Sequence, residues 1–228
     1  MREKRKVCCS IKGSDMFTDQ DLTMIQAAVE AAERRTRGEI VPMVVPVSAR
    51  YRDASYLAGS ILALVALAVL LGLNYGWGRW QWTGHHPGWM IVGVLAAYAL
   101  GSVIGRFPPI IRLLTSDERM AMKVRLRAER AFYEEGLHKT KEGTGILIFL
   151  SLLERRVEIL ADQAIDARVP SGTWNTLVRD LVQGIRAHRQ TKAFCDVITR
   201  CGDLLAIHFP THGGDNPNEL PDELIRGT

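Results

Sequence analysis

From Ala54 to Gly76 the chain reads ASYLAGSILALVALAVLLGLNYG, 23 residues without a charged side chain. At about 1.5 Å of rise per residue, a helix of that length crosses a hydrocarbon layer of roughly 30 Å. The run therefore predicts a transmembrane helix over 54–76. A second run, GWMIVGVLAAYALGSVIG from Gly88 to Gly105, has 18 uncharged residues and is closed by Arg106, Pro108 and Pro109. It is just long enough to span, and the prolines should stop it. Tyr75, Trp77, Trp80, Trp82 and Trp89 gather where the two runs meet their connecting loop, as an aromatic belt at a membrane interface would. A water-soluble hairpin would leave four of the chain's five tryptophans in a glycine-rich turn.

Orientation follows from lysine and arginine near the ends of the runs. Arg34, Arg35, Arg37, Arg50 and Arg52 precede the first, Arg106, Arg112, Arg119, Lys123 and Arg125 follow the second, and the loop holds only Arg79. Both long flanks are expected in the cytoplasm of a bacterium, with the chain a multi-pass protein of the inner (cytoplasmic) membrane. Gly72 with Gly76, and Gly101 with Gly105, have the GxxxG spacing that lets helices approach closely. Neither run contains an ionisable group that a transporter or proton path would use.

What remains outside the hairpin is split into 16–53 and 106–210. In the first piece, Thr18 and Asp21 form a capping box and Leu22, Ile25, Ala28, Val29 and Ala32 recur at helical spacing. Gly38 should end that helix, and EIVPMVVPVS should follow as a strand, with Pro42 and Pro46 arguing for an edge or an irregular one. In the second piece, Thr115 and Glu118 suggest a cap before a long helix with Met120, Val124, Ala128, Ala131 and Phe132 on one side. TGILIFLSLL is half of what a span needs and reads as a core strand. Arg155 and Arg156 mark a turn, and VEILAD alternates Val157, Ile159 and Ala161 against Glu158, Leu160 and Asp162 as a returning strand. Two core helices follow, one capped by Ser171 and carrying Trp174, Leu177, Val178, Leu181, Val182 and Ile185, the other carrying Phe194, Val197, Ile198, Cys201, Leu204, Leu205 and Phe209. Residues 1–15, opening MREKRK, are expected to be a disordered basic tail, and 211–228 an irregular acidic one. Since neither piece has enough partners alone, they should form one composite α/β domain interrupted by the hairpin.

Cysteine usage fits a reducing compartment. Cys8 and Cys9 are adjacent and Cys195 and Cys201 are six apart, so no CxxC motif exists. The net charge is only +4 and its basic residues cluster at the membrane runs, so nucleic acid is not an expected partner. No Walker loop, GxGxxG, GxSxG or HExxH is present, and His85 and His86 have no further ligand types between the runs.

The order helix, RGEIVPMVVPV, helix, TGILIFLSLLERRVEILAD, helix, helix resembles the TPM domain over roughly residues 16–210. That family takes in thylakoid-lumen phosphatase-like proteins, a photosystem repair factor and an acetylcholine-receptor auxiliary protein, and the nearest likeness is to a bacterial branch with two inserted transmembrane helices. The resemblance implies a three-layer α/β/α sandwich with a mixed sheet. It implies a divided function as well: some members are regarded as acid phosphatases, with calcium as a candidate cofactor, and others as non-enzymatic modules of membrane complexes. The family's acidic DNG before the hairpin is here Gly143, Thr144, Gly145, with Glu142 one place away, and its VGxGLE is replaced by LADQAID. Both departures argue against carrying phosphatase chemistry across.

Phosphate-ester hydrolysis needs activated water and cations against the phosphoryl oxygens. Glu39, Glu142, Asp162 and Asp166, all at predicted strand ends, are the candidate oxygen ligands for Ca²⁺ or Mg²⁺. Ca²⁺ takes six or more oxygens, and Asp162 reads equally as a helix N-cap, so no cofactor and no confident catalytic residue is expected. The expected function is an accessory, assembly or interaction module of a membrane protein complex, with the bilayer and another membrane protein as partners. A divalent-metal-dependent acid phosphatase is the alternative.

Overall fold

The computed structural model describes residues 16–76, 88–140, 143–211, 220 and 222–227. They form two compact units, one drawn from residues 1–48 and 121–228, the other from 49–120. The expected tail 1–15, the loop tryptophans Trp77, Trp80 and Trp82, and Glu142 lie outside the described residues.

The α/β unit opens with α1 (Asp19–Glu33), whose N-terminus carries the expected capping box between Thr18 and Asp21. Its buried face is Ile25, Val29, Ala32 and Glu33. The helix stops at Glu33 with Arg34 as C-cap, short of the expected Gly38, because Thr36 leaves the helical path to bridge Pro210. Strand β1 (Glu39–Val45) is buried throughout. It pairs in parallel with β2 (Gly145–Ser151) from Glu39 opposite Gly145 to Val45 opposite Ser151. The antiparallel hairpin β2–β3 (Arg156–Ala161) turns through Arg155, whose φ is +53°. The predicted irregular tail instead supplies β4 (Ile225–Arg226), parallel to β1, so the mixed sheet runs β3-β2-β1-β4.

That strand also revises the reading of Pro42. β1 is internal at Met43 and Val44, where β4 covers it, and an edge before them. Since Glu39 donates its N–H to Thr144 on the β2 side, even-numbered N–H groups of β1 point the other way. Pro42, which has no N–H, sits where that side is uncovered.

Alternation along the strands feeds two cores. Ile40, Val44, Ile146, Ile148, Leu150, Val157 and Ile159 pack against α1, α7 (Thr173–Arg186) and α8 (Gln190–His208). Val41, Met43, Val45, Leu147 and Phe149 pack against Val124, Ala128 and Ala131 of α5 (Asp117–Glu134). Three layers result, as the resemblance implied. Phe149 is fully buried, so truncating it to alanine would cost about 3–5 kcal/mol. Two expected caps move by one residue. Thr115 is the C-cap of α4 (Pro108–Leu114), leaving Ser116 just before α5, and Gly172, with φ +88°, caps α7 in place of Ser171.

The second unit holds α2 (Arg52–Gly76), α3 (Gly88–Ile104), α4 and the first turn of α5. Helix α2 is long and apolar enough to cross a membrane, whereas α3 passes the same test only jointly with α4, from which it is bent by 101°. Pro108 and Pro109 do end α3, but they also occupy the first positions of a new helix, where a missing N–H costs nothing. Along the α2–α3 contact, a Cβ on Gly101 would lie 2.7 Å from the Ala58 carbonyl, and one on Gly105 2.7 Å from Ser55 Cα. These two glycines are what lets the helices touch, and the Ser55 hydroxyl donates across the contact to the Ser102 carbonyl at 2.6 Å. Gly59, opposite Tyr98, is a third close approach that the GxxxG pattern misses. Among the described residues nothing lies within 4 Å of a Cβ built on Gly72. The surroundings of Gly76 and the side chain of Tyr75 lie outside the described residues, and Trp89 is half exposed at the start of α3.

Candidate functional site

Hydrogen bonding places two of the predicted acids on either side of one residue. Glu39 pairs with Gly145 across β1–β2, and Asp162 donates its N–H to the Gly145 carbonyl from the β3 side. Gly143, just before β2, has φ +63°, a backbone conformation that favours glycine, and a Cβ there would make only ordinary contact with Asp162 Oδ2, at 3.4 Å.

Asp162 and Asp166 each have a task in the fold. Asp162 is the N-cap of α6 (Gln163–Asp166), its Oδ1 accepting the Gln163 N–H at 2.7 Å, which satisfies a donor at the helix start. Asp166 Oδ1 accepts the Trp174 indole N–H at 2.8 Å and so ties α6 to the first turn of α7. Glu39 is buried, 3% exposed. Among the described residues no group of three or more His, Cys, Asp or Glu is arranged to hold a metal ion. The position of this row matters too. It lies at the N-terminal ends of the parallel strands β1 and β2, whereas open α/β sheets bind ligands beyond the carboxyl ends.

Two further acids, which sequence reasoning missed, are buried. Glu33 Oε1 accepts the Ile40 N–H at 2.7 Å, taking the place of a neighbouring strand on the side of β1 that β4 leaves uncovered. Burial pushes the Glu33 carboxyl up to about 9, despite that hydrogen bond, and the nearby charges of Glu39 and Asp222 together with a hydrogen bond to Asp222 add to the rise. The signal was in the spacing: Glu33 stands four residues after Val29 and eight after Ile25, on the buried face of α1.

At the opposite, carboxyl end of the sheet, Glu154 accepts from the Ser48 N–H at 3.1 Å and from the Ser151 hydroxyl. This carboxylate ties the exit of β1 to the β2–β3 turn. The Ser48 hydroxyl is buried with no hydrogen-bond partner among the described residues.

The two described thiols, Cys195 and Cys201, are poor nucleophiles. Burial pushes Cys201 up to about 12, and Cys195 is also raised, by partial burial and by Asp196.

One exposed surface stands apart. On α5, Met122, Leu126 and Tyr133 are 67%, 57% and 65% exposed. At 100° per residue they fall within about 40° of one another, opposite Val124, Ala128 and Ala131, which face the sheet. Ion pairs Arg125–Glu129, Arg127–Glu134 and Arg130–Glu134 flank the stripe. This helix thus has two apolar faces, one of which meets no core.

Comparison with known proteins agrees with this architecture. The family model described as the TPM domain matches residues 111–204. That span takes in α5, β2, β3, α6, α7 and most of α8, and leaves α1 and β1 outside. Among solved structures, the chain is similar to the BA42 protein of the psychrophilic bacterium Bizionia argentinensis, determined by NMR, with a TM-score of 0.57 and 17% sequence identity over 95% of this chain and 99% of that one. At that identity the likeness is one of fold. No curated protein matches the chain significantly.

Proposed function

We propose, with the TPM-domain match over residues 111–204 as the premise, that this chain is a membrane-anchored interaction module of a membrane protein complex. The observation that carries the reading is the outer stripe of α5. Met122, Leu126 and Tyr133 give an apolar helix face bordered by paired charges, which suits the apolar face of a partner helix. Anchoring is supported by α2 and α3, whose outward side chains Leu57, Ile61, Leu64, Val65, Val69, Ile91, Val92, Leu95 and Leu100 are exposed and apolar. A belt of that kind is far larger than soluble proteins leave in water. The arginine distribution around the hairpin supports a topology with both flanks in the cytoplasm, which a reporter at Thr83 tests by reading the outside.

Mild-detergent purification followed by mass spectrometry should recover a stoichiometric membrane partner with the full chain. That partner should be lost from a Met122→Ser, Leu126→Ser variant whose circular dichroism is unchanged. Recovery of the protein alone, or a partner indifferent to the substitutions, counts against the reading.

The alternative, a divalent-metal-dependent acid phosphatase, draws on the juxtaposition of Glu39 and Asp162 about Gly145. It requires that the full chain hydrolyse an aryl phosphate with Mg²⁺ or Ca²⁺ and lose that activity on Asp162→Ala. Turnover no higher than a denatured control sinks it.

A further inference from the structure

The helical hairpin has a charged end whose geometry the anchoring role leaves unused. Because Gly105 abuts Ser55, the C-terminal end of α3 stands beside the N-terminal end of α2. Arg50 and Arg52 of one strand of the hairpin and Arg106 of the other therefore share an end. From Arg106 the chain turns by 101° into α4, which packs against α2 and buries Ile111. Leu113, about 200° around the helix from Ile111, is 80% exposed, and Phe107, at the N-cap, is 56% exposed. The exposed Leu57, Val103 and Ile104 carry the apolar surface from this end up the two long helices. Residues 49–53 and 105–120 hold Arg50, Arg52, Arg106, Arg112 and Arg119 against Asp53, Asp117 and Glu118. Arg52 lies over the Tyr56 ring, 5.9 Å from its centroid, and bonds its hydroxyl at 3.0 Å, an amphipathic pairing of the kind found at headgroup depth.

We propose that α4 lies in the plane of the membrane surface, with Phe107 and Leu113 sunk at the headgroup boundary, and that Arg50, Arg52, Arg106 and Arg119 form with it a collar binding the phosphates of anionic lipids. The inference rests on the reading of α2 and α3 as spans. A right-angled turn at the end of a span leaves the next helix parallel to the bilayer, and a short helix with one apolar side and arginines around it is suited to that interface. Anionic lipid is favoured over a protein because the apolar side of α4 is continuous with the lipid-facing belt and the surplus charge of the collar is positive.

The test uses the full chain with Cys8, Cys9 and Cys195 changed to serine, keeping the buried Cys201. Spin labels are placed by Leu113→Cys or, as a control, by Leu64→Cys at an exposed mid-helix position of α2. The protein is reconstituted in nanodiscs of phosphatidylcholine alone or mixed with phosphatidylglycerol. The Leu113 label should lie about 5–10 Å below the headgroup plane by oxygen accessibility. Phosphatidylglycerol should be enriched around the protein by roughly fivefold for each arginine engaged, and the Arg106→Gln, Arg119→Gln variant should lose at least one such factor. In the unsubstituted chain, raising salt should erode the enrichment. A lipid-exposed Leu64 label with a water-exposed Leu113 label overturns the collar and leaves the spans intact. A water-exposed Leu64 label overturns the spans and the collar with them. Equal association of the two lipids, or an enrichment indifferent to salt and to the arginine substitutions, overturns headgroup binding.

Discussion

Replacing Glu33 with glutamine should flatten the dependence of stability on pH. In the native chain the Glu33 carboxyl is held up to about 9 by burial, with Glu39 and Asp222 adding to it, against an ordinary value of 4.5. The folded protein therefore keeps a proton that the unfolded chain has released. Stability falls as pH rises from about 4.5 toward 9, and levels off outside that window. At ~1.4 kcal/mol per pH unit, the loss between about pH 5 and 7 comes to about 2–3 kcal/mol. Glutamine preserves the geometry, since its amide oxygen accepts the Ile40 N–H and its NH₂ reaches Asp222, but it does not titrate. Melting of the two proteins in the same detergent, followed by circular dichroism, should thus diverge by roughly 5–10 °C between those pH values, the variant gaining relative to the parent as pH rises. Parallel melting curves at both pH values would show that Glu33 is ionised in the fold and refute the reasoning. Asp222→Asn should narrow the same divergence, because it removes a charge and a hydrogen-bond partner that raise Glu33.

Three further outcomes follow from the packing. Gly105→Leu should separate α2 from α3 and lower the melting temperature, at a cost of about 1–3 kcal/mol or more, while Gly72→Leu, facing open space, should leave it unchanged. Under native conditions at neutral pH, iodoacetamide should spare Cys201 and react only slowly with the half-buried Cys195; alkylation of Cys201 without prior unfolding would contradict its burial. Asp166→Ala should destabilise the fold by about 0.5–1.5 kcal/mol through the lost Trp174 partner, water taking the place of the exposed carboxylate, and its melting point relative to the parent should not respond to added Ca²⁺ or Mg²⁺.

Much of the α/β unit is legible in the chain because its signals are local. The capping box at Thr18, the strand ILIFLS, the turn at Arg155 and the period of α7 each follow from a few neighbouring residues. What escaped the sequence depends on distant partners. Ile225 and Arg226 sit in a proline-rich tail and become a strand only because β1 offers them an edge at Met43 and Val44. For Glu33 the helical spacing after Ile25 and Val29 marks the buried face, but the partner that fixes its carboxyl, the Ile40 amide, lies across a turn. Within the proposed ligand set the N-cap role of Asp162 was readable from its place before a short helix, but the tie from Asp166 to the Trp174 indole, which depends on where α7 packs, was not. In the hairpin unit, Gly101 and Gly105 were legible from their spacing, and the bend into α4 was not, because a proline pair stops one helix and starts another with the same residues.

The side of β1 that faces β4 has one more consequence. A strand flank with free amide donors invites a foreign strand to add on, the first step toward domain swapping and fibrillar assembly. Here the Ile40 donor is occupied by Glu33, Pro42 has none to offer, and β4 takes over at Met43 and Val44. For a chain whose two α/β segments are separated by a long apolar hairpin, β1 is made well before β2 emerges from the ribosome, and the Ile40 end of this flank is closed from within as soon as α1 folds beside it. The same carboxyl whose burial costs stability near neutral pH thereby guards the nascent strand against its own copies.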